Sequence, residues 1–173
     1  MDETMTLAQA AGKLFPLLFN MMGPIGLIPV FVRLTADMEQ KTRISVARRA
    51  AGLAFIALFL AVFLGAAMLD AWSISNGSLI FAAGLIVTST ALLPIVWSGS
   101  GGAAAPAGTS KQTPEQLAVS PLAFPNMVTP RALAVLIIFV AFYPALEGKL
   151  TVLAVAALML LLNLLGMRYA HWF

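Results

Sequence analysis

Arg131 is the only charge within the apolar stretch 117–146. If that stretch crosses a bilayer, an ionisable group there costs about 2.5–3.5 kcal/mol on insertion scales and is a functional candidate by default. Its neighbours add to its value. Thr129 reads as a helix N-cap and Pro130 as the first helical position. Such a helix start carries roughly +0.5 charge and free N–H groups. Together with Arg131 it is suited to holding an anion, above all a carboxylate in bidentate fashion. The competing use of Arg131 is snorkelling to headgroups. Asn20 and Asn126 flank Gly/Pro clusters and can hydrogen-bond freed backbone, hold a zwitterion or tie helices together. Asn163 is a lesser candidate of the same kind. Thr88-Ser89-Thr90 more often back-bonds to its own helix than lines a site.

The clusters themselves are the second candidate feature. One reads Asn20-Met21-Met22-Gly23-Pro24-Ile25-Gly26-Leu27-Ile28-Pro29. The other reads Ser120-Pro121-Leu122-Ala123-Phe124-Pro125-Asn126-Met127-Val128-Thr129-Pro130-Arg131. Each proline removes a backbone donor and clashes with the preceding turn. Gly23 and Gly26 permit a bend and close approach. Backbone freed at membrane depth must be satisfied by protein or water, which implies a buried or wet cavity. The expected binding residues are therefore Asn20, Gly23, Pro24, Gly26, Ser120, Pro121, Pro125, Asn126, Thr129 and Arg131.

Other chemistries are poorly provided for. Cysteine is absent, which removes disulfides, thiolate zinc sites and Cys nucleophiles. A single histidine, His171, cannot make a multi-His metal site. A membrane enzyme would need a nucleophile and base or a metal, so no enzymatic activity and no resident metal or other cofactor are expected. No acid lies mid-span, which makes a carboxylate proton relay hard to build. Unwound carbonyls near the breaks suit Na⁺ better as a coupling ion.

These residues must be positioned by membrane helices. Of 173 residues, 61 % are hydrophobic and 10 % charged, and the mean hydropathy is +0.95. Soluble domains are about 45–50 % apolar and about 25 % charged, so the solvent here is lipid. The apolar intervals 14–32, 50–69, 79–96, 117–146 (charged only at Arg131) and 150–167 each provide the roughly 20 residues a crossing needs. About five transmembrane helices are predicted, in an all-α integral membrane protein. The acidic start Met1-Asp2-Glu3 has no cleavage pattern, so the first span is not a signal peptide.

Lys and Arg counts set the orientation. Arg33, Lys41, Arg43, Arg48, Arg49, Lys111 and Arg168 fall on one side of a five-span chain, against Lys13 and Lys149 on the other. The richer side is expected to be cytoplasmic, with the N-terminus outside. The pI of about 9.7 then reflects topology rather than nucleic-acid binding. Residues 98–116 begin SGSGGAAAPAGTS and read as a flexible cytoplasmic linker. They separate a first unit, 1–97, from a second, 117–173. The two breaks open the first and fourth spans in similar order, with one residue of slack: small residue, Pro, aliphatic, small, bulky apolar, Pro. If each repeat has three helices, the two copies enter the membrane from opposite sides, which is the inverted-repeat plan of many secondary transporters, with broken helices 1 and 4.

The chain resembles the MarC family of bacterial inner-membrane proteins, also grouped as neutral amino acid transporters. The first-helix pattern of that family is similar to Gly23-Pro24-Ile25-Gly26-Leu27-Ile28-Pro29-Val30-Phe31, and its fourth-span pattern to residues 120–125 followed by Thr129-Pro130-Arg131. Gly23 stands where the family has Asn. Thr129 and Arg131 stand where it has glycines. Family members usually have six spans, so the resemblance implies an incomplete 3+3 inverted repeat whose second unit lacks its last helix. A partner or second copy would then complete it. The implied function is a secondary transporter or exporter of small neutral solutes, amino acids among them, in the bacterial inner membrane. The alternative is a non-transporting membrane subunit or assembly factor.

Overall fold

The computed structural model describes residues 6–98 and 113–170. The charges at Asp2, Glu3 and Lys111, the Gly/Ala/Ser stretch 99–112 and the end 171–173 lie outside the described residues. Every element among the described residues is helical. The order is α1 (Leu7–Met22), α2 (Pro24–Leu34), α3 (Gln40–Ala71), α4 (Asn76–Ser98), α5 (Pro114–Leu117), a kinked proline segment (Ala118–Met127), α6 (Pro130–Phe142) and α7 (Leu146–Tyr169). Four helical stretches are long and apolar enough to cross a membrane: Leu7–Leu34, Gln40–Ala71, Asn76–Leu93 and Leu146–Tyr169. Residues Pro114–Met127 and Pro130–Phe142 make a fifth if the pair, bent by 60°, is one span.

α3 is the central post. Its buried residues Ala47, Ala50, Ala54, Leu58, Val62 and Ala66 recur every three or four positions and so form one stripe. The stripe is rich in alanine because lipid supplies no hydrophobic drive, and close approach of small residues must hold the helices. α7 and the kinked segment pack against α3, and α7 also packs against α1 and α2. Gly166 of α7 sits directly against Ile28 and the Pro24 carbonyl of α2. α4 lies outermost. It rests mainly on α6, and Ala83 is buried among its described residues.

Both broken spans begin with the same device. Thr6 accepts from the Gln9 N–H at 3.3 Å, and the Gln9 side chain accepts from the Thr6 N–H at 2.9 Å. Thr113 and Gln116 repeat this reciprocal capping at 3.3 and 3.0 Å. Each box satisfies two of the donors that a helix start leaves without partners. The Thr-x-x-Gln spacing at both positions is a local signal that apolar intervals alone do not carry.

Arg43, Arg49 and Arg168 collect at one end of the bundle. Arg43 and Arg168 line one crevice with Phe31, Thr35 and Met167. Arg43 also donates to the Ala36 and Met38 carbonyls and so ties down the turn between α2 and α3. Arg49 pairs with Glu115 at 2.8 Å. The first turn, the start of α5 and the end of α7 therefore share a side, as the charge distribution predicts.

Candidate functional site: the meeting of two helix breaks

The first break is local chemistry. Gly23 adopts φ 47°, ψ 63°, a left-handed conformation that other residues enter at a cost. Its N–H closes α1 on the Phe19 carbonyl at 3.1 Å. Pro24 then starts α2. It has no N–H to give the Asn20 carbonyl, so the ladder stops there. No side chain caps the first turn of α2.

The second break is longer because it contains two X-Pro steps. Ser120 and Phe124, each before a proline, are extended (φ −138°, ψ 127° and φ −125°, ψ 127°). The proline ring disfavours the helical region at exactly that position. Asn126 repairs part of the damage by donating its amide to the Pro121 carbonyl at 2.8 Å. The Val128 N–H reaches the Ala123 carbonyl at 2.9 Å. Thr129 restarts the helix as foreseen. Its hydroxyl accepts from the Ala132 N–H at 3.1 Å, and Pro130 and Arg131 follow in the first turn of α6.

The two breaks touch. The Thr129 hydroxyl also lies 3.4 Å from the Met21 carbonyl, at the end of α1. Around this contact is an open cavity of about 380 Å³. Asn20, Gly23 and Gly26 line it from the first break, and Pro125, Asn126, Thr129 and Arg131 from the second. The remaining expected residues are placed elsewhere. Pro24 is buried behind the wall, and Ser120 and Pro121 lie beyond the lining on the kinked segment. Asn163 is fully buried in α7 and does not line the cavity. It donates to the Met159 carbonyl at 3.1 Å, and its Oδ1 has no partner among the described residues.

Three apolar liners, Met21, Met22 and Leu27, carry no chemical signal in the sequence. Thr90 is the further polar liner, contributed by α4. It back-bonds to the Ile86 and Val87 carbonyls at 2.8 and 3.1 Å, which is the use expected of it, while also facing the cavity. Its place there depends on α4 packing against α6, a long-range event. Arg131 is the one charged residue among the described residues that line the cavity, and it is half-buried. No group of three His, Asp or Glu that could hold a metal occurs among the described residues.

The sequence as a whole matches known proteins. The pattern described as MarC family integral membrane protein matches residues 8–173, nearly the whole chain. The chain belongs to the MarC family. Among curated MarC relatives, a UPF0056 membrane protein of Buchnera aphidicola (subsp. Schizaphis graminum) is 33 % identical over 132 residues, 76 % of this chain and 61 % of that protein. The UPF0056 membrane protein YhcE of Escherichia coli is 30 % identical over 144 residues, 78 % of this chain and 63 % of its own. A UPF0056 membrane protein of Archaeoglobus fulgidus is 28 % identical over 144 residues, 83 % and 68 %. The match thus spans less than two thirds of the Buchnera and Escherichia proteins. No solved structure matches the chain.

Proposed function

We propose that this MarC family protein is a secondary transporter or exporter of small neutral solutes, amino acids among them, working by alternating access at the paired breaks. The observation that carries the reading is the convergence of two broken spans on one cavity, joined by Thr129 and Met21. Broken helices that meet near the midplane are the usual substrate site of secondary transporters, and irregular backbone at that depth is tolerated where it lines a cavity. Parallel capping boxes at Thr6 and Thr113, and prolines opening both second halves at Pro24 and Pro130, support an inverted repeat. One unit would rock against the other about these points. The basic end would face the cytoplasm of a bacterial inner membrane, with the N-terminus outside. Na⁺ would bind beside the solute at carbonyls released by the prolines.

The test is flux of labelled glycine or alanine into proteoliposomes, with Pro24→Ala and Pro125→Ala alongside. Both substitutions should cut flux strongly. Unchanged flux in both would remove the breaks from the mechanism. Flux that persists without Na⁺ but follows a pH gradient would remove Na⁺.

A second reading has its own observation. α6 is covered by α4, whereas no described residue covers the corresponding face of α2, with Ile25 71 % exposed and Pro29 and Val32 exposed beside it. A helix from a partner or a second copy would cover α2 as α4 covers α6. Native mass spectrometry of the detergent-purified protein tests this. A monomer without partner under all conditions would leave the α2 face to lipid alone.

A further inference from the structure

We infer that the cavity recognises its solute through a carboxylate group rather than an ammonium group, so that short monocarboxylates lacking an amino group are ligands as well. This rests on the transport reading for its biological use, but not for its chemistry. Two helix starts open on the cavity: α2 at Gly23, and α6 at Thr129 and Pro130. Both present the positive end of a helix dipole. The start of α2 has no side-chain cap, so its first-turn N–H groups are not spent on a capping side chain. Arg131 adds a full positive charge within the same lining.

The opposite charge is missing from that wall. Among the described residues, no Asp or Glu lines the cavity. The described acids are Asp37, Glu39, Asp70, Glu115 and Glu147, all exposed near the ends of helices or in the connections between them, and Glu115 is paired with Arg49. An ammonium group would meet only neutral acceptors, and the Met21 carbonyl among them already faces the Thr129 hydroxyl. A guanidinium–carboxylate pair joins opposite charges through two parallel hydrogen bonds, which adds both energy and geometric specificity. A carboxylate therefore has a charged and bidentate partner here, and an ammonium has none.

The experiment compares three probes of similar size on the full chain: alanine, propionate, which lacks the ammonium, and ethylamine, which lacks the carboxylate. In proteoliposomes, propionate should inhibit labelled-alanine flux at concentrations within about tenfold of alanine itself, and ethylamine should not inhibit at about 100-fold excess. In detergent, propionate should raise the melting temperature, and Arg131→Gln should abolish that rise. Arg131→Lys should retain part of it, because the charge survives while the bidentate geometry is lost. The unliganded melting temperature of each variant reports its folding. Inhibition by ethylamine and not propionate overturns the inference. A propionate shift that persists in Arg131→Gln overturns it as well. Absence of alanine flux together with an Arg131-dependent propionate shift would leave the inference standing and remove the transport reading.

Discussion

The hydroxyl of Thr129 lies 3.4 Å from the carbonyl of Met21, linking positions 108 residues apart. The same hydroxyl accepts from the Ala132 N–H at 3.1 Å. A hydroxyl has one donor and two acceptor sites, so it can cap α6 and reach α1 together. Thr129→Val keeps the shape and removes both bonds. It should lower stability by about 1 kcal/mol, the usual size of a lost N-cap. Thr129→Ser should restore most of it. Thermal unfolding in detergent decides the matter, and a Val variant as stable as the parent would remove Thr129 from the joint.

Gly23 and Gly26 line the same cavity for different reasons. A Cβ on either meets nothing within 4 Å. Gly23, however, holds φ 47°, so Gly23→Ala should cost about 1–2 kcal/mol through the backbone alone. Gly26 is helical, and Gly26→Ala should gain about 0.5–1 kcal/mol while placing a methyl in the cavity. Denaturation should move in opposite directions for the two, and solute flux should fall in both. Equal stabilities would contradict the assigned conformations.

Gly148 opens the last span against the side chain and carbonyl of Tyr143, where a Cβ has no room. Gly148→Ala should destabilise by about 1–3 kcal/mol, the range for overpacking. Gly52 on exposed α3 faces open space, and Gly52→Ala should be neutral or stabilising. Matched melting curves for the two variants would show that the turn before α7 yields freely, contrary to the packing.

Asn163 is 0 % exposed, with Oδ1 unpartnered among the described residues. Removing a buried polar group whose partner is missing can be nearly neutral or stabilising, while burying a charge is costly. Asn163→Leu should match or exceed the parent in thermal stability, and Asn163→Asp should lose at least about 3 kcal/mol. A large loss on Asn163→Leu would reveal that Oδ1 is satisfied and needed.

The absence of cysteine makes the cavity directly testable. Thr90 lines it, whereas Ala54 is fully buried in the α3 stripe. A water-soluble maleimide should label Thr90→Cys and spare Ala54→Cys in intact vesicles. Labelling of both at similar rates would mean the bundle is open throughout, and the cavity would lose its meaning.

The sequence by itself determined the medium, the helices and the breaks. Ten charged residues per hundred cannot wet a 173-residue globule, so the apolar intervals had to be spans. Pro24, Pro121, Pro125 and Pro130 had to interrupt helices wherever those helices packed, because a missing donor is a covalent fact. Thr129 had to be a cap for a similarly local reason. The grouping of Arg43, Arg49 and Arg168 at one end followed from alternating spans. Only the tertiary structure decided that the breaks meet. Neither the contact of Thr129 with Met21 nor the place of Thr90 has a local signal, since both depend on helices distant in sequence coming together. Packing also turned Pro24 and Asn163 inward while leaving Asn20 and Arg131 on the cavity. Composition cannot foresee which face of an apolar helix is buried, because in lipid both faces are equally content.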